Sequence, residues 1–130
     1  MNPMPMISVK DVRASARFYE QLLGAASGHG GTEYEQLFAG DRLVLQLHDC
    51  QPDASHGPLR DLEAATGNGV LLWFEAEDFD ALLARVREFA IPLERDAVNP
   101  FSGKRELWLY DPDGYRVVLA DAKGEKPRGH

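Results

Sequence analysis

The 130-residue sequence has little cysteine and a deficit of positive charge. Cys50 is its only cysteine, so no internal disulfide can form, and nothing indicates an oxidising compartment. Fourteen lysines and arginines stand against 21 acidic residues, and the formal charge is −7. This balance argues against binding a phosphate backbone, which requires clustered basic residues. We therefore expect no nucleic-acid partner.

Long apolar runs are also missing. The longest apolar stretches are far too short to cross a bilayer, and the N-terminal "MNPMPMISVKD" has no basic segment followed by an apolar run. We therefore expect a cytoplasmic protein without a membrane partner. Hydrophobic residues make up 44% and charged residues 27%, which is typical of a globular protein, and the length suits a single domain, residues 1–130.

Two segments have the apolar spacing of amphipathic helices. Asp11 is a good N-cap for the first helix, which Gly24 is expected to end. Asp78 is the corresponding cap of the second helix. The apolar stripe of that helix is predicted to contain Phe79, Leu82, Leu83, Val86, Phe89 and Ala90.

The remaining apolar segments are predicted to be strands. Residues 4–9 form the first, "GAASGHGG" is a loop, and "TEYEQLFAGDRLVLQLHD" forms two strands that fold back at residues 39–41. Alternation then places Val44, Gln46 and His48 on one face of the sheet. Further strands are predicted in "GVLLWFEAED", "IPLERDAV", "KRELWLYD" and "YRVVLAD".

The order of elements repeats within the chain. Setting Asp11 against Asp78 aligns the two helices and pairs Gln46 with Val118. The predicted fold class is α+β, with two βαβββ modules forming a curved mixed sheet around a cleft. Module one spans residues 4–49, a connector spans 50–67, module two spans 68–121, and a flexible polar tail spans 122–130.

The repeat, the "FYEQLLG" of the first helix and the turn sequence "DPDGYRVVL" together resemble the vicinal oxygen chelate superfamily. This group includes glyoxalase I, extradiol dioxygenases and bleomycin-resistance proteins. The resemblance spans almost the whole chain and is specific for the fold. It is not specific for activity, because lyases, dioxygenases, thiol transferases and binding proteins share this fold.

The resemblance also implies four cavity-facing positions that supply His, Glu or Gln to a metal in metal-dependent members. Matched residue by residue, these positions are Met4, Gln46, Leu71 and Val118. Three of the four cannot hold a hard cation, so we expect no metal and no other cofactor. A shifted metal site of His48, Glu75 and Glu106 is the alternative, although a two-residue shift moves a ligand about 6–7 Å along a strand.

Five residues are candidates for binding a small molecule. Trp108 lies three residues before "DPDG", where the resemblance implies a side chain facing the cleft, and Trp73 has the same strand parity in module two. Their indoles are predicted to stack on a planar ligand, at about 1 kcal/mol per aromatic contact; the alternative is that both fill the core. Gln46, His48 and Glu106 are candidate polar contacts, with a structural hydrogen bond or a surface position as their alternatives.

The sequence therefore predicts a metal-independent small-molecule binding protein without catalytic residues. By resemblance to the bleomycin-resistance branch, it is expected to sequester a partly aromatic or antibiotic-like ligand and to form a homodimer. One alternative is a glyoxalase-like lyase or dioxygenase with a shifted metal site, or a metal-free enzyme with His48 or Glu106 as its base. Another is a non-catalytic accessory module whose cleft is filled.

Overall fold

The structure is a computed structural model that describes residues 1–52 and 57–123. The chain divides into two compact units, Met1–Thr66 and Gly67–His130. Each unit contains one helix and a four-stranded mixed sheet in the order βαβββ. The predicted α+β class with two βαβββ modules is therefore confirmed. Most of the predicted polar tail lies outside the described residues.

The first unit contains β1 (Met6–Val9), α1 (Val12–Leu23), β2 (Ala26–Gly30), β3 (Tyr34–Ala39) and β4 (Arg42–Asp49). The strand order is β1-β4-β3-β2, with β1 parallel to β4 and the other pairs antiparallel. Asp11 caps α1 as predicted, because its Oδ1 accepts a hydrogen bond from the Ala14 N–H at 3.0 Å. Gly24 ends the helix in the left-handed conformation at φ 67°.

One face of this sheet forms the core of the first unit with α1. The apolar residues of α1 and alternate residues of the strands are buried there, among them Val12, Ala16, Tyr19, Leu22, Leu37, Leu45 and Leu47. The residues between them in sequence, including Gln46 and His48, lie on the opposite face. The predicted separation of β4 into two faces is correct.

The prediction of a loop at "GAASGHGG" is wrong, because β2 lies within it. This strand pairs with β3 through its backbone while its side chains are mostly exposed, so no apolar alternation marks it in the sequence. Gly30 has a φ of 153°, and a Cβ there would lie 1.9 Å from the backbone oxygen of Tyr34. Only glycine therefore fits at this irregular point in the β2–β3 pairing.

The second unit contains β5 (Leu71–Ala76), α2 (Phe79–Glu88), β6 (Arg95–Val98), β7 (Arg105–Tyr110) and β8 (Arg116–Asp121). The strand order is β5-β8-β7-β6, and β5 is parallel to β8. Asp78 caps α2 by accepting from the Ala81 N–H at 3.0 Å. Leu107, Leu109, Val117 and Leu119 are buried on the helix-covered face, together with Phe79, Leu82 and Val86 of α2.

The second helix ends earlier than its predicted apolar stripe. Phe89 is the C-cap and is 40% exposed, and Ala90 follows at φ 50°. The Ile91 N–H donates to the Val86 carbonyl at 3.0 Å, which closes a tight turn at the helix end. Phe89 and Ala90 therefore lie beyond the helix and do not join its buried face.

The turn "DPDG" connects β7 to β8 and fixes their register. Asp111 is buried, and its Oδ1 accepts from the N–H groups of Asp113 and Tyr115, both at 2.9 Å. Gly114 adopts φ 94° and donates to the Asp111 carbonyl at 3.0 Å. The predicted turn is confirmed, and the register that it sets places Trp108 opposite Val118.

Neither α1 nor α2, the helices found within residues 1–52 and 57–123, has the length and apolar character needed to cross a membrane.

Candidate functional site

The sheet of the second unit has an open face opposite α2, and a row of four side chains crosses it. Arg95 on β6, Trp108 on β7, Val118 on β8 and Trp73 on β5 are successive register partners. Because neighbouring strands are about 4.8 Å apart, long side chains such as arginine and tryptophan can contact one another across the row. Val118 is fully buried, whereas Trp73 is 47% exposed.

The two tryptophans, predicted to share one surface, are in contact. Their ring centroids are 5.9 Å apart and their planes meet at 85°. This edge-to-face arrangement is a preferred geometry for aromatic pairs. The rings are perpendicular, so they do not form two parallel walls around a planar guest. The exposed part of Trp73 instead offers an indole surface that Trp108 supports from the side.

Two guanidinium groups lie over the Trp108 ring. The Cζ atoms of Arg95 and Arg116 are 4.6 Å and 4.4 Å from its centroid, within the range of cation–π attraction. Arg116 also donates through Nε and Nη2 to the two oxygens of Glu94. The hydrogen bond from Arg116 holds the pKa of Glu94 below its usual value, and the charge of Arg95 contributes to a smaller extent. The Glu94 carboxylate in turn raises the pKa of Arg116.

Glu106, the neighbour of Trp108 on the same face of β7, fixes the orientation of the indole. Its side chain is buried, with an exposure of 4% for the residue. One carboxylate oxygen accepts from Trp108 Nε1 at 3.1 Å, and the other accepts from Asn99 Nδ2 at 2.9 Å. The Asn99 side-chain oxygen accepts from the Phe101 N–H at 2.8 Å, which fixes the orientation of the amide. Glu106 therefore acts as a support for Trp108.

Gln46 and His48 lie on the open face of the first unit, together with Tyr34. Tyr34 OH donates to Gln46 Oε1, and Gln46 Nε2 donates to the backbone oxygen of Met4 at 3.0 Å. His48 Nδ1 lies 3.0 Å from the Asp49 backbone oxygen and 3.3 Å from its Oδ1. Both ends of Gln46 are thus engaged by the protein, and His48 has a carboxylate neighbour that the sequence reasoning did not identify.

The residues at the metal positions that the resemblance implies do not fit a divalent cation. Met4, Leu71 and Val118 offer a thioether and two aliphatic chains, and both ends of the Gln46 amide are already hydrogen-bonded.

The shifted metal site is not assembled either. Among residues 1–52 and 57–123, no three His, Cys, Asp or Glu side chains are grouped so that they could hold a metal ion. Glu75 is bound by Lys104 Nζ at 3.2 Å, and Glu106 is bound by Trp108 and Asn99.

Sequence reasoning missed several residues of these clusters. Tyr34 and Arg116 had a usable signal, because each shares strand parity with residues already placed on the open face. Arg95, Glu94 and Asn99 had none, since β6 is short, fully exposed and without alternation. Only the pairing of β6 with β7 places Arg95 beside Trp108.

Comparison with known proteins gives one family and one fold. The sequence profile of the Glyoxalase/Bleomycin resistance protein/Dioxygenase superfamily matches residues 3–119. A search among curated proteins finds no significant match.

Solved structures with similar folds include a lactoylglutathione lyase from Agrobacterium tumefaciens, with 21% identity, a TM-score of 0.70 and coverage of 95% of this chain and 94% of that one. A bleomycin resistance determinant encoded on transposon Tn5 shares 18% identity, with a TM-score of 0.69 and coverage of 95% and 98%. A fosfomycin resistance protein from Mesorhizobium loti shares 17% identity, with a TM-score of 0.62 and coverage of 95% and 92%. At these identities the likeness shows the fold alone.

Proposed function

The chain belongs to the Glyoxalase/Bleomycin resistance protein/Dioxygenase superfamily, and from this premise we propose that it binds a small, partly aromatic organic molecule on the open face of its second sheet. The observation that carries the proposal is the Trp73–Trp108 pair, in which a half-exposed indole rests against one held by Arg95, Arg116 and Glu106. A large exposed aromatic surface on a fixed support is typical of a ligand contact.

The support matters for affinity because it limits the freedom that binding would otherwise remove. Turning the Trp108 ring would break the hydrogen bond from its Nε1 to Glu106 and the contacts with both guanidinium groups. A surface that is already ordered loses less conformational entropy when a ligand arrives. Stacking on Trp73 then contributes about 1 kcal/mol beyond the burial of apolar area.

The proposed binding requires no metal. The residues at the family's metal positions support this part of the proposal, because they offer too few donor atoms for a metal ion. Shape, stacking and hydrogen bonding are then the means of holding a ligand. Elemental analysis of protein purified without chelators is expected to find less than stoichiometric Zn, Ni, Mn and Fe. One tightly held equivalent of any of these metals, required for ligand binding, would contradict metal independence.

The proposed role is sequestration, in which the ligand is held and released chemically unchanged. Two of the similar structures carry resistance to bleomycin and fosfomycin in their names, and this supports an antibiotic-like or toxic ligand as the biological target. We also propose a homodimer, since β2 and β6 are edge strands that have no strand partner on one side within their sheets, and association could supply one. Light scattering after gel filtration is expected to give twice the chain mass of 14.5 kDa.

The binding proposal can be tested with the protein's own fluorescence. Trp73 and Trp108 are the only two tryptophans, so every change in emission reports on this one surface. Titration with the neutral quencher 4-nitrobenzamide is expected to give saturable quenching, beyond the collisional quenching of N-acetyltryptophanamide.

Two variants locate the contact. Trp73→Ala is expected to weaken binding at least fivefold, as measured by calorimetry. Phe101→Ala, which removes an aromatic side chain of a residue that is 83% exposed, is expected to leave binding unchanged. Purely collisional quenching, or equal effects of the two substitutions, would refute binding at this surface.

An enzyme with His48 as a general base is the second candidate. The observation in its favour is the Asp49 carboxylate at 3.3 Å from His48 Nδ1, an arrangement that orients an imidazole for proton transfer. Mass spectrometry of a bound compound after prolonged incubation separates the two functions. Unchanged compound supports sequestration, whereas conversion that His48→Asn abolishes supports the enzyme.

A further inference from the structure

We propose that the ligand is an aromatic anion and that Arg95 binds its carboxylate or other oxyanion. This inference rests on the proposed function and adds the chemical class of the ligand.

The two guanidinium groups differ in their hydrogen bonding. Arg116 donates to both oxygens of Glu94, so its positive charge is balanced by that carboxylate. Arg95 lies over the Trp108 ring, an interaction that depends on its charge and uses none of its five N–H donors. In the described parts of the chain, no side chain or carbonyl accepts a hydrogen bond from the Arg95 guanidinium. Its electrostatic contribution to Glu94 is a minor one beside that of Arg116.

Among the described residues of strands β5–β8, Arg95 is the basic residue without an ion pair, since Arg105 pairs with Asp96 and Arg116 with Glu94. Lys104 is paired with Glu75 at 3.2 Å. The Glu106 carboxylate is buried, and its oxygens are occupied by Trp108 and Asn99. An arriving anion therefore meets the unpaired donors of the Arg95 guanidinium, whereas the Glu106 carboxylate is buried.

The distance between Arg95 and Trp73 suits one small molecule. The Arg95 Cζ is 4.6 Å from the Trp108 ring centroid, and the Trp73 and Trp108 ring centroids are 5.9 Å apart. The Arg95 Cζ therefore lies no further from the Trp73 ring centroid than the sum of these two distances. A ring stacked on Trp73 can carry an oxyanion within a few bonds that reaches Arg95. Guanidinium binds carboxylate and phosphate through paired N–H···O bonds, which favours these groups over neutral ones.

A pair of probes with the same shape and different charge tests the inference. Wild-type protein is titrated with 4-nitrobenzoate and with 4-nitrobenzamide under the fluorescence assay above. The measured quantity is the ratio of the two dissociation constants, because changes in stacking affect both probes and cancel in the ratio. We expect the benzoate to bind about fivefold more tightly, the order expected for a partly exposed charge-assisted hydrogen bond.

Three variants assign the preference to one residue. In Arg95→Gln the ratio is expected to fall to about one, and in Arg95→Lys part of the preference should remain. Arg87→Gln is the matched control, because Arg87 is an exposed arginine on α2, on the opposite side of the sheet. It removes the same charge and is expected to leave the ratio unchanged.

The outcomes distinguish the inference from the function on which it rests. Equal binding of the two probes to wild type, or a preference that survives Arg95→Gln, overturns the anion site while aromatic binding stands. A preference lost in Arg87→Gln as well would reflect net charge and would also overturn it. Failure of both probes to quench beyond the free-tryptophan control refutes the proposed function, and the inference with it.

Discussion

Glu106→Gln should destabilise the second unit although it replaces a carboxylate with a group of the same size. Trp108 Nε1 can only donate, and the Asn99 amide is held in its orientation because its oxygen accepts from the Phe101 N–H. Two donors therefore face the Glu106 side chain. A glutamine has one acceptor oxygen, so its NH₂ group must point at one of these donors.

The size of the effect follows from these two hydrogen bonds. A hydrogen bond to a charged group contributes about 1.5–3 kcal/mol, and the variant loses one such bond and weakens the other. A neutral amide is easier to bury than a carboxylate, which offsets part of this loss. We expect a net decrease of about 1–2 kcal/mol in the free energy of unfolding, or about 4–8 °C in the melting temperature.

Urea unfolding followed by tryptophan fluorescence measures this change, because both tryptophans lie in the second unit. Glu75→Gln is the matched control. It makes the same chemical change on the same face, in an exposed pair with Lys104, and should alter stability by less than about 0.5 kcal/mol. If Glu106→Gln is as stable as this control with an unchanged urea dependence, then the two hydrogen bonds do not hold Trp108 as described.

Three further predictions concern charge, backbone and turn. Because the folded pKa of Glu94 is lowered from 4.5, its pairing with Arg116 should stabilise the fold above about pH 4.5 and be lost as the pH falls through the lowered value; a carboxyl NMR titration with a midpoint at 4.5 or above would contradict this. Gly30→Ala should lower stability by about 2 kcal/mol or more, because its Cβ would overlap a backbone oxygen, whereas Gly31→Ala, with open space around it, should change stability little in urea unfolding; similar values would argue against β2 as placed. Asp111→Ala should cost about 2 kcal/mol, because it removes the buried carboxylate oxygen that accepts from the N–H groups of Asp113 and Tyr115; a melting temperature equal to that of wild type would be the contrary result.

Local signals in the sequence were sufficient where a side chain's role depends on its immediate neighbours. Asp11 and Asp78 cap helices because their oxygens bond to N–H groups three residues ahead. Alternation separated Gln46 from the buried leucines of β4, since strand geometry sends successive side chains to opposite faces. Such signals failed for β2, which is held by backbone pairing, and for the end of α2, where a tight turn at Ala90 interrupts the apolar stripe.

By itself, the sequence determined the repeat of two α+β modules, their helix caps and the "DPDG" turn, because each depends on spacing along one segment. The positions of Trp73 and Trp108 on one face followed from strand parity together with the family resemblance. Only the tertiary structure decided that the two indoles meet edge to face, that Glu106 accepts a hydrogen bond from Trp108, and that Arg95 lies over the Trp108 ring. The first and third of these contacts join different strands, and the second joins neighbours on β7. Their geometry depends on strand register and on side-chain rotamers. No pattern within a single segment specifies either of these.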